Sequence, residues 1–155
     1  MKLDRIDQLL LATLQADAQI SNKALADQVG LAPSSCLERV RALQKAGVLR
    51  GAHADIDPRA LGIEVQALIA VKLDRNTDAD ALKTLIATLS QVTEVVHVLH
   101  VTGSADLLAH VVARDVEHLR DIGYQAFAHK SIAHIETMLI FDSERKHTLP
   151  CLTKV

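Results

Sequence analysis

At residue 63 the spacing of apolar residues changes from that of helices to that of strands, and few architectures hold both patterns in a chain of 155 residues. Before that point Leu3, Ile6, Leu10 and Leu14 recur at three- and four-residue intervals, one stripe over about four helical turns. Beyond it, IEVQALIAVKL places apolar residues at 63, 65, 67, 69, 71 and 73, the alternation of a strand. The change of period implies two units. Asp57-Pro58, which disfavours helix at residue 57, sets the expected boundary: a first domain over 1–57 and a second over 58–155.

Within the first domain the punctuation predicts three short helices. Ser21 is a good N-cap, and Ile20 before it can pack on Leu25 as a hydrophobic staple that fixes the entry angle of the second helix. That helix ends at Val29-Gly30, where glycine suits the left-handed closing position. A third runs from about Pro33 to Ala46, with proline in its first turn and Gly47 as its stop. Two helices joined by a tight turn make a helix-turn-helix, in which the second enters the major groove of DNA. VLRGAHADID behind them fits a short strand or wing.

The second domain reads βαββαβ. DADALKTLIATLS puts Leu82, Leu85, Ile86 and Leu89 on one helical face, and EVVHVLHVTGSADLLAHVVA is a hairpin turning through Gly-Ser-Ala-Asp. DVEHLRDIGYQAF is a second amphipathic helix capped by Asp115, and HIETMLIF supplies the last strand. The order predicts a ferredoxin-like α+β sheet with both helices on one face. Yet the strands are apolar on both sides: simple alternation points Val95, Leu99 and Val101 one way, Val96 and Val98 the other. A second copy of the chain is the simplest cover for the free face, which predicts a homodimer built on this sheet.

Net charge is −2, so any attraction for DNA must be local. Residues 1–57 balance seven basic against seven acidic side chains, but within 38–50 four basic residues face only Glu38. On a helical wheel Cys36, Val40 and Leu43 form one narrow apolar face, Ser34, Glu38, Arg41 and Lys45 the opposite one, and Ser35 and Arg39 flank the seam. Taken alone, such a helix is an ordinary amphipathic one. Behind a capped helix and a tight turn, with small hydroxyl residues leading it, it suits a DNA reader better.

LDRID at the start, ISN…LA…VGL, CLERVRALQKAGVLRG and the hairpin VTGSADLL, in this order and spacing, resemble the Lrp/AsnC (leucine-responsive, feast/famine) family of bacterial transcription regulators over nearly the whole chain. The resemblance implies a winged helix-turn-helix domain, followed by a ferredoxin-like domain that senses amino acids and builds oligomers. It makes Ser34, Ser35, Arg39 and Arg41 DNA contacts, with Lys45 and Arg50 nearer phosphates. Its effector site, between dimers beside the hairpin turn, falls on Gly103, Ser104 and Asp106. Glycine there lets a ligand approach the backbone, Asp106 pairs with an α-ammonium group, and Thr137 on the last strand adds a polar contact. Leu107 stands where the family often has an aromatic residue, and Ala32 where it often has a capping serine. Either the third helix lacks a side-chain cap, or Ser35 and Glu38 form a capping box later.

The partners implied are double-stranded DNA, an amino-acid effector and further copies of the chain, dimers assembling into octamers or other higher oligomers. No catalytic residue, cofactor or metal site is expected: Cys36 and Cys151 stand apart with no CxxC pairing, and no HExxH occurs. A start without a cleavable leader and the lack of a long apolar run predict a cytoplasmic protein with no membrane span. His97, His100, His110 and His134 fall on strand segments and read as structural or interface groups. A sirohaem-decarboxylase-like enzyme on the same two-domain scaffold is the alternative, disfavoured by the intact basic helix. RNA binding through the sheet fails for want of aromatic residues on the central hairpin.

Overall fold

The structure, a computed structural model, describes residues 2–152. It divides into two compact units, Met1–Asp55 with Glu144–Val155, and Ile56–Ser143. The second unit therefore ends at Ser143 rather than running to the end of the chain. Gln15 accounts for the difference: its side-chain Oε1 accepts from the Leu149 N–H (2.6 Å) and its Nε2 donates to the Leu149 carbonyl (3.3 Å). One amide thus serves the tail as a neighbouring strand would.

The first unit holds α1 (Arg5–Ala16), α2 (Asn22–Val29) and α3 (Pro33–Lys45). A capping box starts α1, with Asp4 accepting from the Asp7 N–H at 2.8 Å and Asp7 from the Asp4 N–H at 3.1 Å. Ser21 caps α2 by accepting from the Ala24 N–H at 3.2 Å, and Gly30 closes it at φ +69°, in the left-handed region. Leu10, Leu25, Ala26, Val29, Cys36 and Leu43 form the core, with Ile20 packed against it. At α3 the N-cap is Ala32 and no side chain caps the helix, which settles that alternative against a box from Ser35 and Glu38. No strand forms over 51–57, and the segment leads into a single 3-10 turn, Pro58–Leu61.

The second unit is the expected sheet. Strands β1 (Val65–Leu73), β2 (Val95–His100), β3 (Leu107–Ala113) and β4 (Ile132–Leu139) are antiparallel in the order β2-β3-β1-β4. Two helices, α4 (Ala79–Leu89) and α5 (Val116–Ala126), lie between them in sequence, capped by Asp78 and Asp115. Ala67, Ile69 and Val71 on β1 and Leu107, Ala109 and Val111 on β3 are wholly buried among Leu85, Leu89, Leu119 and Ile122 of the helices.

The hairpin departs from simple alternation. Val95 pairs with Val111 but His97 pairs with His110, so one extra residue is accommodated at Val96. The bulge puts Val95 and Val98 together on the helix-covered core and turns His97 and Leu99 to the open face, correcting the expected split of these residues. His100 stands opposite Leu107, and His97 and His110 are direct cross-strand neighbours. Across the open face run two rows in register, Leu99-Leu108-Ala70-Glu136 and His97-His110-Leu68-Met138.

Candidate DNA and effector sites

On α3 the burial follows the wheel: Cys36 and Leu43 are wholly buried, while Ser34, Ser35, Glu38, Arg41 and Lys45 are exposed, as is Arg50 beyond the helix. Burial in this apolar setting pushes the Cys36 thiol up, so the residue acts as packing rather than as a nucleophile. The free face thus presents two hydroxyls at the helix N-terminus, then two cations one turn apart. Asn22 of α2 ties the pair together by donating from Nδ2 to the Pro33 carbonyl at 2.8 Å, which sets where α3 begins relative to α2.

Arg39 is placed differently from its neighbours. Its guanidinium Nη1 lies 2.7 Å from Asp4 Oδ2 and 2.9 Å from Asp7 Oδ1, joining α3 to the capping box of α1. Asp7 is buried, so this pairing answers a charge held away from water. The Asp4 carboxyl is held below its ordinary value, first by the Asp7 N–H and then by Arg39. Arg39, expected among the DNA contacts, is thereby engaged in positioning the recognition helix. The sequence signal existed: Asp4 and Asp7 have the spacing of a capping box, and Arg39 sits on the seam of the wheel.

Around the hairpin turn, Gly103 has φ +126°, in the region that favours glycine, and a Cβ built there meets no atom within 4 Å. Asp106 is a hub. Its N–H donates to the Val71 carbonyl (2.9 Å) and its carbonyl accepts from the Val101 N–H (2.9 Å). The carboxylate accepts from the Leu73 N–H through Oδ2 (2.8 Å) and pairs through Oδ1 with the Lys72 Nζ (3.1 Å). β1 shifts register against β4 between Lys72 and Leu73, and there the side chain of Asp106 supplies the acceptor for Leu73. These contacts, the backbone one first, hold the Asp106 carboxyl below its usual range. Ser104 lies in the same turn, beside an open hollow of about 430 Å³ lined by His100, Val101 and Thr102. Thr137 does not join this cluster within one chain: it stands opposite Ile69 on β4, with β1 and β3 between it and β2.

His110 accompanies the open face. Its Nε2 is 2.9 Å from Gln66 Oε1, and burial together with the facing His97 pushes its imidazole below the ordinary 6.5. The unfolded chain therefore binds this proton more readily than the folded one. The contribution is at its full value above about pH 6.5 and declines as pH falls toward the folded-state value, below which it levels off. Urea unfolding at pH 7.5 and 5.5 should show this loss in the wild type and a smaller one in His110→Gln.

Two family models match the chain: winged helix-turn-helix DNA-binding over residues 3–50 and the Lrp/AsnC ligand binding domain over 66–150. The HTH-type transcriptional regulator AldR of Mycolicibacterium smegmatis is 42% identical over 144 residues, covering 92% of this chain and 84% of that protein. The leucine-responsive regulatory protein of Rhizobium meliloti is 35% identical over 140 residues, with 90% and 89% covered. Among solved structures, a transcriptional regulator of Neisseria meningitidis in complex with L-Met aligns at TM-score 0.87 and 25% identity, covering 96% of this chain and 97% of that one.

Proposed function

The chain belongs to the Lrp/AsnC family of transcription regulators, and within that family we propose that it reads its operator through the exposed face of α3 and answers to an amino acid at the β2–β3 turn. One observation carries the DNA half: the second helix of a capped pair buries Cys36 and Leu43 and leaves Ser34, Ser35, Arg41 and Lys45 free, with Arg50 following. Ser34, Ser35 and Arg41 approach base edges or the nearest phosphates, while Lys45 and Arg50 meet the backbone. Arg39 holds the helix in place through Asp4 and Asp7. No residue is assigned a catalytic role.

The effector half rests on the open space at Gly103, the carboxylate of Asp106 and the neighbouring Ser104. The L-Met complex of the Neisseria meningitidis regulator supports an amino acid as the effector class. Thr137 contributes only if it comes from another copy of the chain. Two copies meeting on the open sheet face make the reader twofold, matched to a pseudo-palindromic site, and further association of dimers follows the family.

A gel-shift titration against the DNA upstream of its own coding sequence, at two salt concentrations, tests the DNA reading. Binding should prefer that DNA over competitor and weaken with salt. Equal affinity for both DNAs would overturn sequence-specific recognition. Arg41→Ala should lose about 1–3 kcal/mol of operator affinity with the fold unchanged. An unaltered isotherm removes Arg41 from the contact set.

A further inference from the structure

Lys72 and Asp106 face each other across the end of the sheet as a preformed pair of opposite charges, 3.1 Å apart and both open to water. The two partners are held unequally. Asp106 is anchored by both of its backbone groups and by the Leu73 N–H on Oδ2, which leaves Oδ1 to the ammonium. Lys72 sits on a flexible stem with its side chain 48% exposed, and among the described residues Nζ makes no other hydrogen bond or ion pair. An exposed pair of this kind is weak, so an incoming group can open it at little cost.

From this geometry we infer that Lys72 is the carboxylate-recognising residue of the effector site, and that the Lys72–Asp106 pair selects α-amino acids as zwitterions. The inference rests on the effector reading above. On binding, the ligand's ammonium takes Asp106 Oδ1 and its carboxylate takes the displaced Lys72 ammonium, so the one ion pair becomes two. The hollow lined by His100, Val101 and Thr102, of which Val101 donates its N–H to the Asp106 carbonyl, and the open flank of Gly103 leave room for the ligand's side chain. A ligand with only one of the two charges satisfies one partner and strands the other, which makes the pair a filter against plain amines and plain carboxylic acids. Lysine fits this role as a mobile point charge that can swing from Asp106 to a carboxylate without losing the backbone-held aspartate.

The test begins with the twenty L-amino acids by thermal shift on the full chain, and carries the strongest binder into calorimetry with its methyl ester and its N-acetyl derivative. Wild type should bind the free amino acid roughly tenfold or more tightly than either derivative. Lys72→Met should weaken the free amino acid by roughly tenfold while the ester, which no longer strands an ammonium, binds at least as tightly as to wild type, and Lys72→Arg should restore most of the loss. Unfolding curves of the variants establish that the sheet is intact. If wild type binds but Lys72→Met binds as well or better, Lys72 is only a competitor for Asp106 and the inference is overturned while the effector reading stands. Should no amino acid bind the wild type, both fall.

Discussion

Arg39→Ala should unfold the DNA-binding unit at lower urea than wild type, by about 2 kcal/mol, with little change in operator affinity for the protein that stays folded. The reason lies in Asp7, which is 4% exposed and among the described residues keeps only the Asp4 N–H once the guanidinium is gone. Loss of a partner from a fully buried pair costs about 3–5 kcal/mol; the partial exposure of Arg39 brings the expected cost below that range, to about 2 kcal/mol. The companion measurement is Arg41→Ala, for which affinity falls and stability holds. If instead Arg39→Ala leaves the unfolding midpoint unchanged and abolishes DNA binding, the two arginines have been assigned in the wrong order. Acid should act on the same joint. Asp4 has a depressed folded-state pKa, so its contribution is present above about pH 4 and is lost as pH falls through the folded value; in Arg39→Ala that acid limb should be shallower.

Leu108→Glu is expected to turn the proposed dimer into a monomer. Leu108 lies in the middle of the row Leu99-Leu108-Ala70, on the face that α4 and α5 do not cover, and a carboxylate there would be buried without a partner if two copies meet on it. Roughly a hundredfold or greater weakening of self-association follows from a penalty of about 3 kcal/mol. Light scattering across a dilution series reads it, and the unfolding midpoint at high dilution controls for the fold. A variant that still elutes as wild type would show that copies associate elsewhere.

How much of this was legible in the sequence depends on what carried the signal. Periodic apolar residues and local punctuation were readable, so Ser21, Gly30 and Asp115 identify their helix ends and the change of period at residue 63 identifies the sheet. Pairing between distant residues was not. The bulge at Val96 leaves no mark in a run of β-branched residues, yet it decides that Val98 goes to the core and His97 to the open face. Arg39 looked like one more cation on a basic helix because its partners lie more than thirty positions away in α1. Asp106 illustrates the same point for the effector site: its place in the turn was readable, but its grip on Leu73 and Lys72 depends on a register shift in another strand. The place of the tail was not legible either, since the glutamine amide of α1 that binds Leu149 lies 134 positions away from it.

Ala32 has a consequence for how the recognition helix is completed. A helix that opens on alanine leaves its first amides without an acceptor from its own cap residue. On the docking proposed above, a phosphate oxygen of the operator is the group positioned to accept from them. The last element of the helix's architecture is then supplied from outside the chain, by the operator, to a first turn that Asn22 already holds in place.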